Sequence, residues 1–261
     1  MTYPGIEVSV TGARAAIELD RPDQLNPLGL PTLRSLVDAA RAIDRDPAVK
    51  VVVVSGRGRA FSAGADLAAF AGLAGTDVAQ AREFADAGRQ MADAIEAMNA
   101  VTIARLHGHV VGGAVVLAAA CDLRVAADDT RFSIPELDLG IPLAWGGIPR
   151  LVREIGPALT KELVMTCRPF GADEARAAGL LNRVVPAADL DAAVEELAGA
   201  LEGKSALTLR ATKRHTNACA DAMVATAHAW NDADSLLTAA ADPASREVAL
   251  AYLRRRTPRG D

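Results

Sequence analysis

Aromatic side chains are scarce in this 261-residue chain: phenylalanine, tyrosine and tryptophan make up 3% of it. The hydrophobic fraction of 51% is inflated by alanine, the strongest helix former, so a high helix content is expected. Positive charge is also in deficit. A formal net charge of -5 argues against a nucleic-acid-binding face. No apolar run reaches the length of a membrane span. The start, "MTYPGIEVSV", lacks the basic stretch and apolar core of an export signal. A cytoplasmic protein with no membrane partner and no nucleic-acid partner is expected. Cys121, Cys167 and Cys219 are widely separated and have no metal-ligand spacing. Their odd number in a reducing setting points to three buried free thiols.

Several chemistries lack their motif. No G-x-S-x-G is present, so a nucleophile elbow is unsupported. No G-x-G-x-x-G follows a strand, so a dinucleotide enzyme is not indicated. "GALEGKS", Gly199 to Ser205, is one residue short of a phosphate loop and follows a helical run, not a strand. His107 and His109 would share a face on a strand. No acid or cysteine stands close by to complete a metal site, so strand-end and loop packing is expected of them, and no metal.

What is present alternates between strand and helix. Ile6 to Leu19 reads as two short strands turning at Thr11-Gly12. Leu33 to Ile43 has helical spacing, with Pro31 near its start. Lys50 to Gly56 and Val101 to Leu106 are apolar runs suited to strands buried on both faces. Helices are expected over Val78 to Met98, Gly113 to Ala120, Ile148 to Ile155 and Pro157 to Met165, and further strands at Asp122 to Ala127 and Leu181 to Val185. From Ala187 onward strand signals stop. The pattern is an α/β core, residues 1–200, followed by a helical region, residues 201–261, with the boundary near Gly203.

Two strand ends bear glycine: "GRAFSAGADL" after Val51–Val54, and "GHVVGGA" after Val101–Leu106. If these strands are neighbours, both loops open at one sheet edge, where ligands bind. Gly64 and Gly112-Gly113 allow close backbone approach. A helix beginning at Gly113 or Ala114 offers free N–H groups, and donors from two loops can hold one developing oxyanion. Taken singly, each turn reads more readily as a tight strand-to-helix connection than as a ligand site.

"AFSAGADL", "GHVVGGAVVLAAACDLRVAA", "FSIPELDLGI" and "GGIPRLV" occur in the order and spacing of the crotonase, or enoyl-CoA hydratase/isomerase, superfamily. "RPDQLNPL" and "PFGADEARAAGLLNRVVP" resemble further segments of it, so the likeness spans nearly the whole chain. It implies a spiral of strand-strand-helix repeats with a C-terminal α-helical oligomerisation region that builds a homotrimer or a dimer of trimers. It implies an acyl-CoA thioester of fatty-acid metabolism as substrate, with coenzyme A part of that substrate and no separate cofactor. By position, the backbone N–H groups of Ala65 and Gly113 are the oxyanion donors. Ala63, Gly64, Asp66, Leu67 and Gly112 surround them on the substrate side. Arg59 is the leading candidate for the CoA phosphates, with Arg254 to Arg256 of a neighbouring subunit next, although a solvated charged tail explains the latter equally well. The acyl wall is expected from the Ala- and Gly-rich stretch Ala68 to Ala87.

The sequence departs from the hydratase pattern at three places. Hydratases that it resembles use two glutamates. The first maps onto Val116 and the second onto Glu136 in "IPELDLG". Ala144 and Trp145 replace small residues beside the site. Two carboxylates suit addition of water, whereas one suits a proton shuttle. The resemblance therefore favours isomerisation of a 3-enoyl-CoA to a 2-enoyl-CoA through Glu136. A weak 2-enoyl-CoA hydratase and an inactive acyl-CoA-binding protein are the alternatives. Apolar neighbours of Glu136 are expected to raise its pKa.

Overall fold

The computed structural model describes residues 2–66, 78–229 and 231–256. The N-terminal ribbon forms as expected: β1 (Ile6–Thr11) pairs antiparallel with β2 (Arg14–Leu19). Valine-rich β3 (Val51–Gly56) runs parallel to β2, and β4 (Val101–Leu106) parallel to β3, with Val51 opposite Val101. β6 (Leu123–Ala127) and β9 (Arg183–Val185) complete a six-stranded sheet of order β1-β2-β3-β4-β6-β9. Both faces of its centre are covered. Val52, Val54 and Ala104 belong to the main core, while Val51, Ile103 and Val125 pack with Leu190, Val194 and Ala198 on the far face. Burial on both sides explains why these strands read as unbroken apolar runs.

A second, three-stranded sheet crosses the top. It contains β5 (His109–Val111), β7 (Arg131–Ser133) and β8 (Phe170–Gly171) in the order β5-β7-β8. A single bridge from Ser62 to Val110 extends it toward the turn after β3. β4 and β5, and likewise β6 and β7, place one strand in each sheet before the next helix.

The helices are α1 (Leu30–Ile43), α2 (Val78–Glu96), α3 (Gly113–Ala120), α4 (Gly147–Thr166), α5 (Ala172–Ala177), α6 (Leu190–Glu202), α7 (Ala206–Met223), α8 (Asp232–Ala241) and α9 (Pro243–Arg256). The two helices expected on either side of Gly156 run together as α4, which breaks at that glycine where φ is 74°. Proline follows directly at 157 and cannot continue the hydrogen-bond ladder.

One expectation needs correction. Only Cys121 is a buried thiol; Cys167 is half-buried and Cys219, on α7, is exposed. The C-terminal helices also reach the core. α8 packs on α2, and Ala233 and Leu236 join the main core. His107 packs at a strand end, as expected: Arg105 donates to its Nδ1, and its Nε2 lies 2.8 Å from the Gly58 carbonyl. No group of His, Cys, Asp and Glu suited to a metal occurs among the described residues.

Candidate active site

The two glycine-bearing turns meet. Gly64 has φ of 86°, and a Cβ there would lie 2.3 Å from the Val111 carbonyl and 3.5 Å from the Gly113 nitrogen. Only glycine allows both that conformation and that approach. Among the described residues, neither the Ala65 nor the Gly113 amide donates to a backbone carbonyl. Gly113 is the first residue of α3, so its N–H is one of the free donors at a helix start. Both residues line one cavity, so two amides without a backbone acceptor among the described residues stand at the same small volume.

The "RPDQLNPL" loop braces the first turn. Buried Asn26 donates from Nδ2 to the carbonyls of Arg57 at 2.9 Å and Ala60 at 3.0 Å. The Leu28 amide donates to Gly64 O, and the Ala63 amide to Leu25 O, each at 2.8 Å. Ser62 Oγ donates to Asn26 O at 2.7 Å and accepts from the Gly64 amide at 3.0 Å. With its neighbours committed in this way, the direction of the Ala65 amide is set.

Glu136 follows Pro135 in the turn after β7 and is 8% exposed. Its Oε1 would sit 2.4 Å from a Cβ on Gly112, so the absent side chain is what lets the carboxyl lie beside the start of α3. Its Oε2 is buried with no hydrogen-bond partner among the described residues. Burial pushes its pKa up from 4.5 to about 7, partly offset by its own backbone amide. A carboxyl with a raised pKa in a cavity is a candidate for acid-base chemistry.

The cavity is lined by Ala65, Gly113, Val116, Glu136 and Trp145, together with Phe84, Leu143 and Leu236. Five candidates read from sequence are thus brought together. Gly64 and Gly112 shape the turns without lining the cavity. Ala63 and Asp66 flank the first turn, where Asp66 lies 3.7 Å from the Arg21 guanidinium. Arg59 is exposed on the turn before it, off the cavity wall. Leu67 and half of the expected acyl wall lie outside the described residues, but Phe84 of that stretch does line the cavity. Sequence reasoning misses Leu236 and Asn26. Leu236 arrives from a C-terminal helix, and Asn26 acts only through backbone carbonyls far away in sequence.

The fold brings the heads of two strand-to-helix turns and, among the described residues that line the cavity, a single carboxyl to one small volume. The profile of the enoyl-CoA hydratase/isomerase family matches residues 10–259, and the chain belongs to that family. It is 37% identical over 218 residues to a crotonyl-CoA hydratase of Syntrophomonas wolfei, covering 83% of each chain. It is 36% identical over 208 residues to the human mitochondrial Delta(3,5)-Delta(2,4)-dienoyl-CoA isomerase, covering 76% of this chain and 63% of that one. The crystal structure of an enoyl-CoA hydratase/isomerase from Xanthobacter autotrophicus superposes with a TM-score of 0.88 at 28% identity, covering both chains fully.

Proposed function

We propose that the protein moves the double bond of a 3-enoyl-CoA to the 2 position through Glu136. The observation that supports this most strongly is the composition of the cavity. Glu136 is the one titratable group among the described residues that line it, and the wall around it is Val116, Phe84, Leu143, Leu236 and Trp145. Addition of water calls for a second polar group to orient the water and exchange a proton, and Val116 can do neither.

The thioester oxygen accepts from the Ala65 and Gly113 amides. Ionised Glu136 takes a proton from C2, and the electron pair delocalises over C2–C4 and the carbonyl as a dienolate. The oxyanion donors hold its charge, each contributing about 3 kcal/mol in the transition state. The same carboxyl, now protonated, returns the proton to C4. The double bond then lies between C2 and C3, and Glu136 is ionised again. A pKa near 7 suits both halves of this cycle.

The test is parallel incubation with cis- or trans-3-enoyl-CoA and with trans-2-enoyl-CoA. Fast isomerisation with weak hydration is expected. Efficient hydration with negligible isomerisation would refute the reading. Tight acyl-CoA binding with no turnover of either substrate would favour the inactive binding protein.

A further inference from the structure

Trp145 is the large aromatic residue of the site, and its place is unusual in three respects. Its backbone is left-handed, with φ of 62°, a conformation disfavoured for a bulky residue. Its indole is wedged against two glycines on different helices. A Cβ on Gly88 of α2 would fall 2.0 Å from indole Cδ2, and one on Gly113 of α3 would fall 2.1 Å from Cζ3. Phe84, one turn before Gly88, meets the ring edge-on with centroids 6.4 Å apart and planes at 69°. Glycine is disfavoured inside a helix, so Gly88 in the interior of α2 has a steric reason: only glycine leaves room for this ring.

The backbone after Trp145 is held from both sides. The Gly146 amide donates to Asp232 Oδ2 of α8 at 2.8 Å, and Arg150 Nη1 donates to the Gly146 carbonyl at 3.2 Å. Arg150 is itself buried and paired through Nη2 with Asp93 at 3.0 Å and Glu96 at 2.5 Å. The indole is therefore packed in place, with no slack to swing aside. The space left beside Glu136 and the oxyanion amides is about 30 Å³, room for one or two waters and far below the several hundred of an ordinary small-molecule site.

We infer that Trp145, seated against Gly88, is a fixed stop that ends the acyl site and restricts the protein to short acyl groups. The inference rests on the acyl-thioester reading of the site and adds to it the class of acyl chain. An acyl group whose carbonyl reaches Ala65 and Gly113 meets the indole as soon as it extends past Glu136.

Calorimetric titration with saturated butanoyl-CoA, decanoyl-CoA and free CoA tests this without any turnover. The wild type should hold butanoyl-CoA at least about tenfold tighter than decanoyl-CoA. Trp145→Ala should reverse the order, since each newly buried methylene is worth about fourfold in affinity. Trp145→Phe should give an intermediate result if the alanine variant does not fold. Gly88→Ala, which pushes the indole into the remaining space, should weaken butanoyl-CoA binding. Equal affinity of the wild type for the two chains would overturn the inference, as would an unchanged preference in a folded Trp145 variant. Failure to bind any acyl-CoA would overturn it together with the acyl-thioester reading. A chain-length limit in a protein that isomerises nothing would leave the stop standing and remove only the isomerase reading.

Discussion

Glu136 is buried against apolar side chains, with one oxygen unpartnered among the described residues, and this has two consequences for pH. The base in the proposed cycle is the ionised carboxyl. Isomerase kcat/KM should therefore rise as pH increases through about 7 and level off above it; a rate profile flat from about pH 5 to pH 9 would remove Glu136 from that role. The second consequence is for stability. The folded-state pKa lies above the ordinary value of 4.5, so between about 4.5 and 7 the unfolded chain gives up a proton that the folded chain keeps. Stability is lost as pH rises across that window. At 1.36 kcal/mol per unit, the cost at alkaline pH is on the order of 3 kcal/mol. Glu136→Gln should then melt above the wild type at about pH 8 and close to it at about pH 4. Chemical denaturation at the two pH values measures the difference.

At the scale of elements, the site is the meeting of two strand-to-helix turns. Gly113→Pro removes the N–H at the head of α3, a helix position that tolerates proline, but a Cβ at 113 would strike the Trp145 indole, so the substitution is made in a Trp145→Ala background. Against Trp145→Ala alone, the double variant should remain folded by circular dichroism and lose isomerase turnover by about 10²-fold or more, the effect of deleting one oxyanion donor. A folded double variant with the rate of Trp145→Ala would mean that Gly113 is not a donor. These elements are largely legible in the sequence. α3 begins and ends where its glycine pair and alanine run imply, and β3 and β4, both largely apolar, are neighbours in the sheet. What is not legible depends on distant residues. Leu236 enters the cavity only through the packing of α8, whereas Phe84 lies in the stretch expected to form the acyl wall. Gly88 reads as an ordinary helix-interior glycine until the Trp145 ring is seen against it. The thiols depart from expectation because Cys167 caps the end of α4 and Cys219 is exposed on α7, and cysteine itself gives no sign of either position.

Across the whole molecule, large apolar side chains remain uncovered on the C-terminal half. Met165, Leu207, Met223 and Leu250 are each more than half exposed. Contiguous exposed apolar surface commonly marks an interface, and closed symmetric assembly is the usual way to cover one. Sedimentation velocity should show a trimer or hexamer, and a stable monomer at micromolar concentration would contradict that. The same half of the chain also builds the site, since α8 supplies Leu236 to the cavity wall and Asp232 to the Trp145 turn. Loosening the C-terminal helices should therefore disturb the acyl site as well as the assembly.

The central claim is that one carboxyl does the proton transfer, and single-turnover isomerisation of a 3-enoyl-CoA by Glu136→Gln tests it most directly. Glutamine keeps the shape of the side chain and cannot shuttle a proton, so acyl-CoA affinity should stay near that of the wild type while the rate falls by about 10²- to 10⁴-fold. A rate close to wild type in a variant that binds normally would contradict the claim.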